Sequence, residues 1–463
     1  MIGLLALFFY NGKWIIPIAA FIAPLFLIRF YRFQKPFVGF LLITLAGWLS
    51  NIFIWKGMLP ASGYFYYFLM FMMSVFTALT YLIDKIYSRR FKGPISTLIF
   101  PSLYVVMEFI VVSTNPSGSY GTLAHTQSSL VLQQVFSITG IWGLCFIITW
   151  SASMINWLWD KSLERSNLKQ ALLIYGIPVL SLLLFGQIRL AIDTKYETVR
   201  IASIAKCKTN SANLDDNSLF LENSELAANS GAKIVFGTET AISLQEDEEE
   251  AFVDKAKTLA NTEDIYLGLP MQVIPKEYPE VLPENKILWV SPDGEELLTY
   301  HKAKPTPGEG HYGDGTIKYF DSPHGRIASA ICFDMDFPSL IKQVQNMNID
   351  MMLVPGNDWE EIAPYHTFVA SSRAIEQGFN LVRATSNGLS ASFNYKGQLL
   401  SSRDDFIAND PILFSDVPIN GRKTIYSKLG DYFAWLCILI SLLASVIYFR
   451  SLVVARAGRR TNH

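Results

Sequence analysis

The chain is short of charge. Asp, Glu, Lys and Arg make up 17% of its 463 residues, against roughly 25% in an average soluble protein. Together with 51% hydrophobic and 14% aromatic residues, that deficit excludes a wholly soluble protein and a disordered chain. Four cysteines without a CxxC pair exclude a disulfide-stapled secreted module, and six histidines without ligand spacing give no metal signature. A net charge of −2 supplies no field that would recruit nucleic acid. The sequence also lacks a glycine-rich phosphate loop and a GxSxG elbow, which removes support for nucleotide binding and serine-hydrolase chemistry.

The deficit is uneven: residues 1–190 are apolar, whereas 190–430 read like an ordinary soluble enzyme. A helix needs about 20 mostly apolar residues to cross the hydrocarbon core. Six stretches approach that, at 14–28, 36–55, 63–83, 93–113, 136–158 and 170–188, and a seventh, 432–449, follows the soluble part. Segment 14–28 is short for a span, and only 93–113 carries a charge, Glu108. Residues 1–10, MIGLLALFFY, are too short to span alone and have no basic segment before them to mark a cleavable signal.

Basic residues set the expected orientation. Arg29, Arg32 and Lys35 follow the first span; Lys85, Arg89, Arg90 and Lys92 the third; Lys161, Arg165 and Lys169 the fifth; Arg450, Arg456, Arg459 and Arg460 the last. The intervening loops hold Lys56 alone, or no charge at all across 114–134. The alternation places the basic clusters in the cytoplasm and residues 190–430 on the outer face. Glu108 either lines a polar cavity with a function or makes a helix–helix hydrogen bond. The polar loop 114–134, with His125, could border a path for lipid.

Within 198–430, TVRIASIA, AKIVFGTE, DIYLGLPM, KILWVS, RIASAICF, DMMLVPGN, NLVRATS and LSASFNY read as strands. Helical patterns lie at 218–230, 249–261, 338–346 and 364–378, and WVSPDGEELLTYH reads as a hairpin turning at Pro-Asp-Gly. The alternation predicts a layered α/β domain. Glu239 closes one strand, Lys302 follows the hairpin and Cys332 closes RIASAICF. Singly, each reads as a surface or buried structural residue. Together they form a catalytic set: a thiol that needs a base, a carboxylate to take its proton, and an ammonium to stabilise an oxyanion.

The order Glu, Lys, Cys with these flanks resembles the nitrilase superfamily. Nearly the whole chain resembles the apolipoprotein N-acyltransferase family, in the succession of spans, NPSGSYGTLAHTQ, GIWGLCFII, a nitrilase-like domain and a last span. GTETAI, YHKAKPTPGEG, ICFDMDFP, GNDW and YHTFVASSRAIEQGFNLVRATSNGLSA carry it within the domain, with His366, Arg373, Glu376, Arg383 and Asn387 in family positions. The resemblance implies a polytopic α-helical membrane bundle (1–190), an exoplasmic nitrilase-like αββα sandwich (191–430) and a C-terminal helix with a basic tail (431–463). It implies Glu239 as general base, Lys302 as oxyanion stabiliser and Cys332 as nucleophile, with Glu309 as a further carboxylate; Asp334, Asn357 and Glu108 are supporting candidates. The implied reaction moves a fatty acyl chain from a membrane phospholipid, through a Cys thioester, to the α-amino group of a lipidated apolipoprotein, in the bacterial cytoplasmic membrane. It implies a monomer that needs neither metal nor cofactor. A membrane-anchored amidase and an inactive lipid- or lipoprotein-binding homologue are the alternatives. Where the family usually has Trp-Pro before the base, this chain has Gly237 and Thr238, so more room beside Glu239 and a shifted acceptor preference are expected.

Overall fold

The computed structural model describes residues 1–88, 90–91, 93–161, 163–192, 196–205 and 216–460. The basic residues Arg89 and Lys92 lie outside the described residues, and the side chains of Arg456, Arg459 and Arg460 are likewise not described. Two compact units form: residues 1–191 joined by the segment from Leu429 onward, and Ile192–Lys428.

Among the described residues, the first unit holds six helices long and apolar enough to cross a membrane: Pro36–Ile54, Gly63–Tyr87, Pro94–Thr114, Ile141–Asp160, Arg165–Ala191 and Tyr432–Val453. Expected segment 14–28 forms a helix over Ala19–Phe33, 15 residues and too short to join that set. A 3-10 turn at Gly12–Trp14 and then Pro17 delay its start. Residues 1–10 contribute only the short helix Ile2–Ala6. Expected span 136–158 begins at Ile141 because Gly140, at φ 64°, breaks the helix there. In Arg165–Ala191 a π turn at Leu172–Gly176 precedes Pro178 and absorbs its missing N–H.

Helix Ile141–Asp160 is the hub, 89% buried, whereas Arg165–Ala191 and Tyr432–Val453 are each 11% buried. Exposed leucines on the outer helices suit a lipid solvent, so polar side chains must be satisfied inside the bundle. Trp150 Nε1 donates to Thr97 Oγ1 at 3.0 Å, and Asn156 Nδ2 donates to Leu25 O at 2.9 Å. Arg32 pairs with Asp84 at 3.2 Å and with Asp160 at 3.7 Å. Lys85 Nζ donates to Tyr31 O at 3.0 Å, and Arg90 Nε donates to Ser451 Oγ at 2.7 Å. These contacts gather residues from two of the basic clusters at one end of the bundle.

The second unit is built on two sheets. In chain order the strands are β1 (Thr198–Ile204), β2 (Ile234–Gly237), β3 (Ile242–Gln245), β4 (Tyr266–Ile274), β5 (Glu284–Val290), β6 (Glu296–His301), β7 (Tyr319–Ser322), β8 (Gly325–Ser329), β9 (Met351–Asn357), β10 (Asn380–Ser386), β11 (Leu389–Phe393), β12 (Leu399–Asp404) and β13 (Ile412–Pro418). One sheet runs β13-β1-β2-β4-β5-β6 with β3 on β4; the other runs β12-β11-β10-β9-β8-β7. β1, β2 and β4 are parallel neighbours, as are β8, β9 and β10.

Period-2 alternation sorts the side chains. Ile234 and Phe236 join Trp289, Met351, Leu353 and Leu381 in the core between the sheets. Val235 points the other way, into a core with Phe220, Phe252 and Ala256 from helices Asp216–Asn229 and Glu249–Glu263. Helix Tyr365–Gln377 packs on β10 and β11 of the other sheet. The result is the expected αββα layering. The strand read through RIASAICF ends early, at Ser329, and Cys332 opens a 3-10 turn over Cys332–Asp336.

Candidate active site

Parallel strands deliver side chains at their carboxyl ends, and there the site forms. Glu239 follows β2, Cys332 follows β8 and Asn357 ends β9; Lys302 follows β6. Glu239, Lys302 and Cys332 are exposed by 4%, 4% and 6%. A buried ammonium between buried carboxylates must be closely paired. Lys302 Nζ donates to Glu239 Oε1 at 2.8 Å and to Glu309 Oε2 at 2.8 Å. Asn285 Nδ2, on β5, bridges the same two carboxylates at 2.9 and 2.6 Å. Burial alone would strip the proton from Lys302, but the charges of Glu239, Cys332 and Glu309 outweigh it and hold the ammonium well above its ordinary range. Burial opposes ionisation of Glu309, yet Lys302, Thr306 N–H and Asn285 hold its carboxyl below the usual carboxylate range.

Cys332 sits at φ 45°, a region non-glycine residues rarely adopt. Backbone held there marks a position the surrounding fold over-determines, a frequent property of functional sites. Asp334 supplies the constraint. Its Oδ2 accepts from Ile331 N at 3.0 Å and Tyr300 Oη at 2.7 Å, and its Oδ1 accepts from Lys304 N at 2.8 Å. It therefore ties the Cys332 turn to the loop that carries Lys302. Burial pushes its pKa up to about 6 against these donors. Asp334→Ala should leave four donors without this acceptor, the buried Ile331 N and Tyr300 Oη costing about 1–3 kcal/mol each and the half-buried Lys304 N and Ala303 N less. A thermal-unfolding scan is expected to show Tm lowered by about 5 °C or more; an unchanged Tm would mean these donors find other partners.

The Cys332 thiol, a free cysteine, points towards Asn357 O at 3.8 Å. Burial and the charges of Glu239 and Asp358 push it up, against Lys302 and Arg383. Asn357 therefore meets the thiol through its backbone carbonyl; its side chain instead accepts from Ser386 and Asn387. The room expected beside Glu239 is not there. A Cβ on Gly237 would lie 2.8 Å from the Phe220 ring, which already fills that space.

Glu108 lies in the first unit, at a cavity of about 310 Å³ lined also by Trp55, Met73 and Tyr104. Its carboxylate accepts from Leu123 N at 3.3 Å and approaches Cys145 Sγ at 3.8 Å. His125 pairs with Thr122 Oγ1 at 3.0 Å, and residues 114–118 and 120–122 of the polar loop line the same cavity.

Residues 3–154 match the family model for the apolipoprotein N-acyltransferase N-terminal domain, and residues 200–420 match that for carbon-nitrogen hydrolase. Apolipoprotein N-acyltransferase of Rickettsia typhi is 24% identical over 391 residues, 77% of each chain. Apolipoprotein N-acyltransferase 2 of Treponema denticola is 25% identical over 371 residues, 67% of this chain and 68% of that one. The chain belongs to the apolipoprotein N-acyltransferase family. An amidase from Nesterenkonia sp. of known structure, 18% identical, covers 50% of this chain and 94% of its own with a TM-score of 0.42. Its apolar helices and its relatives make this family member a multi-pass bacterial membrane protein.

A second polar cluster, whose contacts the sequence did not disclose, borders the thiol. Arg383 on β10 donates through Nη1 and Nη2 to Asp358 at 3.0 and 2.9 Å. His366 bonds Asp358 through Nδ1 at 2.7 Å and Asp336 through Nε2 at 3.0 Å. Burial would discharge His366, but Asp336 and Asp358 raise its pKa to about 9. Cys332, Asp358 and His366 are, among the described residues, a group close enough to share a metal ion, within 4.8 Å of one another. The guanidinium of Arg383 engages both Asp358 oxygens and lies 3.0 Å from His366 Nδ1. The triangle therefore already holds a cation, and a metal does not fit it.

Proposed function

We propose that this protein N-acylates lipoproteins by ping-pong transfer through Cys332, with Glu239 as base and Lys302 as oxyanion stabiliser. The observation that carries this reading is the buried pair of Lys302 with Glu239 beside a thiol that the turn holds at φ 45°. The thiol is neutral at rest, so the proton must leave during attack. The sulfur bonds the ester carbonyl carbon of a membrane phospholipid while Glu239 takes the thiol proton. The Lys302 ammonium offsets the charge that gathers on the carbonyl oxygen. Collapse breaks the ester C–O bond, and Glu239 returns the proton to the departing lysophospholipid oxygen. The α-amine of the lipidated N-terminal cysteine then attacks the thioester. Glu239 receives the amine proton, the C–S bond breaks, and the sulfur regains a proton.

A multi-pass anchor suits substrates whose two acyl chains seldom leave a bilayer. The basic clusters gathered at one end of the helices support a cytoplasmic face there and a catalytic domain on the outer face of the inner membrane. Intact-mass measurement after incubation with phosphatidylethanolamine vesicles tests the transfer. A fatty-acyl adduct on Cys332 that a diacylglyceryl-cysteine peptide discharges is the expected result. Turnover of soluble amides without an adduct would instead support a membrane-anchored amidase.

A further inference from the structure

The reaction above leaves one buried charge beside the sulfur without a role. Arg383 lies mid-strand on β10, fully buried, where an unpaired charge would cost several kcal/mol. Its bidentate pair with Asp358 and its Nη1 bond to Thr367 Oγ1 at 2.7 Å account for three of its five N–H groups. Among the described residues Nε has no hydrogen-bond partner. The second N–H of Nη2 faces His366 Nδ1 at 3.0 Å, which donates to Asp358 and so cannot accept it, and Cys332 Sγ at 3.8 Å, which can.

The contacts behind it close a ring. Asp358 holds Arg383 and also His366 Nδ1; His366 Nε2 reaches Asp336; Asp336 belongs to the same turn, Cys332–Asp336, as the thiol. Space is kept for this arrangement by two glycines. A Cβ on Gly356 would come 3.0 Å from Arg383 Nη2, and one on Gly388 would come 2.9 Å from Asp358 Oδ2. Both carboxylates that flank His366 are needed to balance two buried cations, so the ring presents its guanidinium to the sulfur with no excess charge behind it.

We propose that Arg383 is a second electrostatic catalytic residue, donating from Nη2 to the Cys332 sulfur and stabilising the thiolate as attack begins, with Asp336, His366 and Asp358 positioning it. This rests on Cys332 being the acyl carrier. It divides the work by location: Lys302 stands with Glu239 and Glu309, whereas Arg383 stands with the sulfur. When the thiol proton passes to Glu239, negative charge moves from carboxylate to sulfur, where the Arg383 N–H waits. The groups around the sulfur are Glu239 after β2, Lys302 and Glu309 in the loop after β6, Asp334 and Asp336 on its own turn, Asp358 after β9, His366 on helix Tyr365–Gln377 and Arg383 on β10. Of these cations, Arg383 and Lys302 both favour the thiolate.

The test is the pH dependence of Cys332 alkylation by iodoacetamide, read by peptide mass spectrometry on the full-length protein in detergent. Arg383→Gln is expected to move the alkylation midpoint upward by about 1–3 pH units, and Arg383→Lys to recover most of that shift. The same midpoint in a Gln variant that melts as wild type would overturn the proposal. Should the Gln variant not fold, Arg383→Lys decides: it retains the charge but loses the fork, and should form acyl-enzyme about 10–100-fold more slowly with Tm nearly unchanged. Acylation at the wild-type rate in that variant would also overturn it. Alkylation needs no acyl donor. Failure of the thioester reading would show separately, as transfer activity surviving in Cys332→Ser.

Discussion

Cys332→Ala should abolish lipoprotein N-acylation, by at least about 10⁴-fold, while the protein folds and melts as wild type. Removal of a covalent nucleophile leaves only binding and the electrostatic groups, which is why the loss is so large. The fold should tolerate it because, among the described residues, the sulfur's hydrogen-bond contacts are two long ones, to Asn357 O and Arg383 Nη2, each at 3.8 Å. Arg383 keeps Asp358 and Thr367 when the sulfur is gone, and Asp334 still holds the turn through Ile331 N. Cys332→Ser should be equally inactive, since a hydroxyl resists deprotonation by a carboxylate far more than a thiol does. Mass-shift of a diacylglyceryl-cysteine peptide, with Tm measured on the same preparation, reads both effects. An Ala variant that still acylates would sink the covalent route.

What the sequence disclosed follows from which interactions are local. The eight runs read as strands all contain strands, because β-branched residues and period-2 burial are written in consecutive residues. β3, β7, β12 and β13 were not read. They are short, edge-placed or polar, as in LLSSRD over β12, and the partner strand rather than their own composition holds them in a sheet. Helix 338–346 divides into an α turn at Pro338–Ile341 and a 3-10 turn at Lys342–Asn346. The membrane spans were legible to within a few residues except where glycine or proline reset a helix start, as at Pro17 and Gly140.

The site divides the same way. Glu239, Lys302 and Cys332 were legible as residues at strand ends, and Glu309 only through resemblance. Asn285 was invisible, since a polar residue inside KILWVS neighbourhood reads as an exposed strand position; it is 46 residues from Glu239 in the chain and meets it only across the sheet. The same holds for the ring behind the sulfur: His366 and Arg383 stood in family positions, but no spacing rule joins them to Asp336 and Asp358. The nearest signal was Arg383, a charge inside the strand run NLVRATS, whereas Asp336 and Asp358 stand close to Asp334 and to Glu360 and Glu361 and read as ordinary polar turns. Buried charges must find one another. Cys332's positive φ was equally unreadable, because Asp334 holds the turn by accepting from Ile331 N before it and from Lys304 N on a distant loop.

Lys302→Met should both slow acylation and reverse the pH dependence of stability. In the proposed reaction the ammonium, at 2.8 Å from both Glu239 and Glu309, stabilises developing oxyanion charge, and loss of such a group costs about 10²–10³-fold in rate. Removing one partner from a buried ion cluster also destabilises by about 3–5 kcal/mol, because two carboxylates then share only Asn285 Nδ2. The sign of the pH effect separates this from a packing defect. In the wild type the folded-state pKa of Glu309 lies below its ordinary 4.5, so its contribution is present above that value and is lost as pH falls through the lowered one. Without Lys302 the buried Glu309 carboxylate loses its counter-charge while burial still opposes its ionisation, so its folded-state pKa is expected to rise above the unfolded value. That contribution is present at low pH and lost as pH climbs through the raised pKa. Acidification from pH 7 towards pH 5 should therefore raise Tm in Lys302→Met, whereas the wild type gains nothing from it at this site. The comparison is the difference in Tm between the two proteins across that range, at constant ionic strength. A difference that stays constant with pH would mean that Lys302 does not hold the two carboxylates charged, and with it would fall the assignment of this residue as the counter-charge of the reaction.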